Sequence, residues 1–85
     1  MEERIIKCLE AAFADFSSGE KPKAIAPTAL SRFYLMANTY LQRQNLVPRG
    51  VRHFVKNTVN SFLEQAGYRR IHDARYDYGG YILAR

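Results

Sequence analysis

The chain has 85 residues, a length that fits one domain spanning residues 1–85. Its composition, 47% hydrophobic and 25% charged, excludes disordered and collagen-like proteins. No apolar run approaches the roughly 20 residues of a membrane helix and no secretory segment follows Met1, so we expect a soluble protein without a membrane partner. The net charge is +5, but it is unevenly distributed. Residues 1–20 include two basic and five acidic residues, whereas residues 21–85 include eleven basic and three acidic residues. The excess of positive charge in residues 21–85 points to a polyanionic partner for that part of the chain.

The first half of the chain predicts two helices separated by a short extended piece. Apolar residues recur at helical spacing over residues 2–16, and Gly19 is a suitable residue to end that helix. The proline-containing stretch 21–26 is expected to be extended and to form at most one short edge strand. Pro27 suits the first position of a second helix, which is predicted to run to about Arg43.

The second half predicts a third helix and then a β-hairpin. The helix is expected from about Pro48 or Arg49 to Ala66, because apolar residues recur there at helical spacing. Its apolar stripe consists of Val51, Phe54, Val55, Val59, Phe62, Leu63 and Ala66. Two extended runs, roughly 68–76 and 81–85, flank a Gly-Gly pair that favours a hairpin turn.

This order of elements resembles the winged-helix variant of the helix-turn-helix superfamily. The resemblance is one of architecture, extends over nearly the whole chain and includes no motif specific to a named family. It implies an α+β fold, a three-helix winged-helix-like domain in which the third helix is the recognition helix and the C-terminal hairpin is the wing. The second helix, at about four turns, is longer than the short second helix usual in that superfamily.

Six polar side chains project away from the apolar stripe of the third helix: Arg49, Arg52, His53, Lys56, Asn57 and Asn60. The cations occupy the first half of this helix, whereas Glu64 lies in its last turns. Because the helix dipole favours the reverse arrangement, each misplaced surface charge costs about 0.3–1 kcal/mol. Recognition helices present their N-terminal half to DNA, where Arg pairs with guanine and Asn with adenine, so these residues are candidates for nucleic-acid binding. The alternative interpretation is a solvated face whose basic charge serves solubility.

The hairpin carries a second group of candidate nucleic-acid contacts. Three arginines, Arg69, Arg70 and Arg75, lie on its first run, and Tyr78 adjoins the predicted turn. Arginine interleaved with tyrosine suits contacts with the nucleic-acid backbone and with splayed bases. Tyrosines on strands also pack against their neighbours, which is the alternative for any single one of them.

Catalytic and metal-binding chemistry is not expected. His72 and Asp73 are neighbours on a strand, so their side chains point to opposite faces. Cys8 is the only cysteine, which excludes an internal disulfide and a cysteine-based zinc site. We therefore predict no enzyme activity, no cofactor and no metal.

The leading hypothesis is a duplex-DNA-binding domain that acts as a small regulator or a replication accessory. It is expected in the cytoplasm, or in the nucleus or nucleoid if the source is eukaryotic or viral. A protein-interaction module, such as a small viral-type adaptor or inhibitor, is the alternative, with the acidic first helix facing a basic partner and Leu35 marking a dimer seam. Binding of RNA or a single strand is a third hypothesis, because Tyr and Arg on a hairpin also suit single strands. The sequence leaves open whether the chain forms a homodimer or part of a larger protein complex.

Overall fold

A computed structural model describes residues 2–72 and 81–84 of the chain. These residues form an α+β fold, as the sequence predicted, with three helices and three short strands. In chain order the elements are α1 (Glu3–Phe16), β1 (Ala24–Ile25), α2 (Pro27–Arg43), α3 (Phe54–Gln65), β2 (Arg69–His72) and β3 (Tyr81–Ala84).

The strands pair antiparallel in the order β1-β3-β2. Along β2 and β3 the register runs from Arg69 opposite Ala84 to His72 opposite Tyr81. The short strand β1 adds to the other edge of β3, with Ala24 opposite Ala84. Among the described residues the main packing of the strands on the helices is that of β3 on α2.

Phe13 of α1 lies at the centre of the hydrophobic core. Its ring centroid is 5.3 Å from that of Phe33 on α2 and 5.9 Å from that of Phe62 on α3. The ring of Tyr68, just before β2, lies 6.0 Å away. Tyr68 is held there because Gly67, at a φ of 97°, ends α3 and turns the chain back, and the Tyr68 amide donates to the Leu63 carbonyl at 3.0 Å. One aromatic cluster therefore joins all three helices to the start of β2.

The third helix begins later than the sequence predicted, at Phe54 rather than at Pro48 or Arg49. Gly50 and His53 have φ angles of 74° and 60°, in the left-handed region, and a right-handed helix cannot pass through such residues. The assignment of Val51 to the buried stripe is wrong for the same reason, because it lies outside the helix and is 51% exposed. Residues 44–53, which join α2 to α3, are called the connector below.

The connector is fixed to the core at its first half and exposed at its second. Asn45 adopts a φ of 56° and ends α2, and the Leu46 amide then donates to the Leu41 carbonyl at 2.9 Å. Leu46 is buried and Val47 packs against the core beside it. The positions from 48 to 53 are all exposed to solvent. The core therefore holds one end of the connector while its polar residues stay accessible.

Candidate functional site

Three exposed cations follow one another along the connector and into the first turn of α3. They are Arg49, Arg52 and Lys56, and together they are called the basic cluster. Two of them, Arg49 and Arg52, lie on the connector and not on the third helix, which corrects the position that the sequence predicted. His53 lies between them and Lys56, exposed, with no side-chain hydrogen bond to the start of the helix.

The basic cluster is not neutralised by the carboxylates that the structure describes. Within residues 2–72 and 81–84 the ion pairs join Arg4 to Glu2 at 2.6 Å and Lys7 to Glu3 at 3.2 Å, both within or next to α1. Glu2 and Glu3 are thus paired with neighbouring cations, and the cations of the basic cluster face solvent. Exposed cations without carboxylate partners can exchange water and counterions for the phosphates of a polyanion.

The two asparagines of α3 have different environments. Asn57 is exposed in the first turn of the helix. Asn60 is half-buried, and its side-chain oxygen accepts a hydrogen bond of 2.5 Å from the hydroxyl of Tyr34 on α2. A side chain held by a neighbouring helix in this way is less available to a base edge than the sequence suggested. The contact between Tyr34 and Asn60 spans 26 positions of the chain and has no local signal in the sequence.

Arg70 of β2 lies beside the same tyrosine. Burial raises the pKa of Tyr34, and the hydrogen bond with Asn60 and then the positive charge of Arg70 oppose that shift. Tyr34 of α2 thus has Asn60 of α3 and Arg70 of β2 as neighbours. Arg69 is the next residue along the strand, so it points to the opposite face of β2, where it is exposed. The structure therefore brings Arg70, but not Arg69, near Tyr34.

Two candidate contacts, Arg75 and Tyr78, lie outside the described residues. Their proposed contacts with nucleic acid stay predictions.

The Tyr34–Asn60 hydrogen bond leads to a prediction about stability. We expect Tyr34→Phe to lower the free energy of unfolding by about 0.5–1.5 kcal/mol near neutral pH, because the Asn60 side chain is left without its partner. Burial raises the pKa of Tyr34 although the hydrogen bond with Asn60 acts in the opposite direction, so the folded state keeps the phenolic proton above about pH 10, where the unfolded chain releases it. The stabilisation is therefore complete below that pH and is lost as the pH rises through the pKa of the folded state.

Urea unfolding of the wild type and of Tyr34→Phe, at about pH 8 and pH 11, measures this effect. The difference in unfolding free energy between the two proteins should become smaller at the higher pH. A difference that stays constant with pH would contradict this account of Tyr34.

Other reactive groups lie apart from the basic cluster. Burial raises the pKa of the Cys8 thiol on α1, which disfavours the reactive thiolate. An open cavity of about 310 Å³ lies between the end of α1 and the start of α2, with Phe16 and Ile25 among its apolar lining and Lys21 and Glu20 contributing opposite charges. Within the ranges that the structure describes, no three His, Cys, Asp or Glu residues are grouped as a metal site would require.

A scan against protein-family models and searches of curated proteins and of solved structures gave no match to this chain. In the part of the chain that the structure describes, no helix combines the length and apolarity needed to cross a membrane. The function is therefore inferred from the charge and geometry of the residues themselves.

Proposed function

We propose that this chain is a small nucleic-acid-binding domain of winged-helix type that holds duplex DNA at the basic cluster. The proposed role is that of a regulator or a replication accessory. The observation that carries the proposal is the charge of the basic cluster: Arg49, Arg52 and Lys56 are exposed on one continuous segment, and the described carboxylates leave all three unpaired.

Electrostatics supports a polyanion as the partner. Three cations within eight consecutive residues repel one another, and a surface needed only for solubility would gain by interspersing acids among them. Here the acids are concentrated at the other end of the sequence, five of eight within residues 1–20. A line of phosphates relieves the repulsion, and release of the counterions that the phosphates had condensed adds to the free energy of binding. Arginine also suits bidentate contacts with phosphate oxygens.

The arrangement of the elements supports a winged-helix type of docking. The antiparallel strands β2 and β3 follow α3 directly, and β1 pairs with the outer edge of β3. Arg70 of β2 lies near Tyr34 of α2. In the proposed complex the basic cluster meets the duplex first, and the β2–β3 pair lies alongside as the wing.

The protein-interaction alternative has less support from the described residues. Glu2 and Glu3 of the acidic first helix are already engaged by neighbouring cations. Leu35 on α2 is 69% exposed, but its helical neighbours Arg32 and Thr39 are exposed and polar, so it stands alone rather than in an apolar patch.

A titration of a labelled random-sequence duplex, followed by fluorescence anisotropy at salt concentrations from about 50 to 200 mM, tests the proposal. If about four phosphates are neutralised by the basic cluster and an arginine of β2, the logarithm of the binding constant should fall against the logarithm of salt with a slope of about −3 to −4. Competition with single-stranded DNA and with RNA of the same length ranks the three polymers. Absence of binding to all three at the lowest salt would overturn the proposal, and a preference for a single strand or for RNA would replace duplex DNA as the partner.

A further inference from the structure

On the premise of the proposed function, we infer that the chain docks on nucleic acid end-on, through phosphate contacts of the connector and the first turn of α3, and that its binding does not depend on base sequence. This differs from a recognition helix that lies along the major groove and reads base edges. The contrast follows from where the structure places the polar side chains.

The two arginines of the basic cluster precede α3 and do not lie along it. Arg49 and Arg52 belong to the connector, and α3 begins only at Phe54. Base-edge reading needs side chains that project from an element lying inside the groove. Arginines on a surface loop ahead of that element reach the phosphates that border the groove first. Such contacts position a protein on the duplex and carry no sequence information.

The outward row of α3 is poorly suited to lie along a groove. Lys56, Asn60 and Glu64 follow one another at intervals of one turn, so they occupy one side of the helix. Asn60 is already bound by Tyr34, and Glu64 is an exposed carboxylate without an ion-pair partner among the described residues. A helix lying lengthwise would bring Glu64 near the phosphates, where like charges repel. End-on docking leaves this carboxylate about 12 Å farther along the axis than Lys56, beyond a Debye length of about 10 Å.

One exposed amide in the first turn, Asn57, is then the main candidate for a base contact on α3. A single good bidentate contact discriminates between bases by about 1–3 kcal/mol, which is too little to define an extended binding site. The chemistry of this surface therefore fits a duplex recognised by its phosphate backbone.

Selection from a duplex pool with a randomised centre tests this inference directly. We expect no enriched sequence motif, and unrelated duplexes of equal length should bind within about threefold of one another, because phosphate contacts are the same for every sequence. Glu64→Gln should leave the affinity for a random duplex unchanged within about twofold, since screening removes most of the effect of a distant carboxylate. Asn57→Ala is the matched variant, because Asn57 lies on the same face of α3 as Glu64. We expect it to lower the affinity for a random duplex by less than about threefold. Circular dichroism of both variants checks that α3 remains folded.

An enriched motif whose selection is lost in Asn57→Ala would overturn the inference while leaving nucleic-acid binding intact. An affinity that rises several-fold in Glu64→Gln would also overturn it, because that result places the last turns of α3 against phosphates. Absence of binding to any duplex is a different outcome, which overturns the proposed function itself.

Discussion

Replacing Phe33 with alanine should lower the free energy of unfolding by about 3–5 kcal/mol. Phe33 is completely buried on α2, with its ring centroid 5.3 Å from that of Phe13 and 5.0 Å from that of Phe16. The substitution removes the largest fully buried side chain among the described residues and leaves a cavity that the surrounding side chains can fill only in part. Because a domain of this size has a total stability of roughly 4–13 kcal/mol, the loss should amount to at least about a quarter of it.

Urea unfolding followed by far-ultraviolet circular dichroism measures the loss, and the chain has no tryptophan that would serve as a fluorescent reporter. The midpoint should fall while the slope stays the same. Leu35→Ala is the matched control on the same helix, and its effect should stay within about 0.5 kcal/mol because Leu35 is exposed. A loss of less than about 1 kcal/mol in Phe33→Ala would contradict the placement of this ring in the core.

The bounds of α2 were predictable because the signals that set them are local. Pro27 fixes a backbone angle suited to the first helical turn, and the apolar spacing continues without interruption to Arg43. The end of α3 follows equally from a local signal, since Gly67 adopts the left-handed conformation that other residues disfavour. The short strand at Ala24–Ile25 was likewise expected, although its pairing with β3 joins distant parts of the chain.

The start of α3 was not predictable from apolar spacing. Val51 lies at the helical interval before Phe54 and Val55, so the periodicity begins ahead of the helix itself. The break comes from His53, which adopts a φ of 60° although nothing in its sequence neighbourhood requires it. Burial of Leu46 fixes where the connector leaves the core, and that is a tertiary constraint.

The environment of each site residue also depended on tertiary packing. Helical spacing alone places both Asn57 and Asn60 on the polar side of the helix. The packing of α2 against α3 then brings Tyr34 into contact with Asn60 only. Tertiary packing likewise brings Arg70 near Tyr34, whereas Arg69 projects from the other face of the strand. Residue types thus indicated the class of partner, and packing determined which side chains are available to it.

Removing two cations of the basic cluster should weaken binding of duplex DNA by about 10- to 100-fold at low salt. The double variant Arg52→Ala/Lys56→Ala cannot form two of the charge-assisted hydrogen bonds to phosphate, and each tenfold change corresponds to about 1.4 kcal/mol. The slope of binding against salt should become shallower by about 2, because each of the two cations neutralises about one phosphate. Both side chains are exposed and without described ion pairs, so stability should change by no more than about 0.5 kcal/mol.

A second double variant, Arg4→Ala/Lys7→Ala, removes the same number of positive charges from the acidic first helix. The decisive measurement is the affinity of one duplex for the wild type and for both double variants, in a single buffer of low salt. We predict a large loss for the variant in the basic cluster and less than about a threefold loss for the variant in α1, because the two variants have the same net charge and differ only in where the cations are removed. Equal affinities of the two variants would contradict the assignment of nucleic-acid binding to the basic cluster.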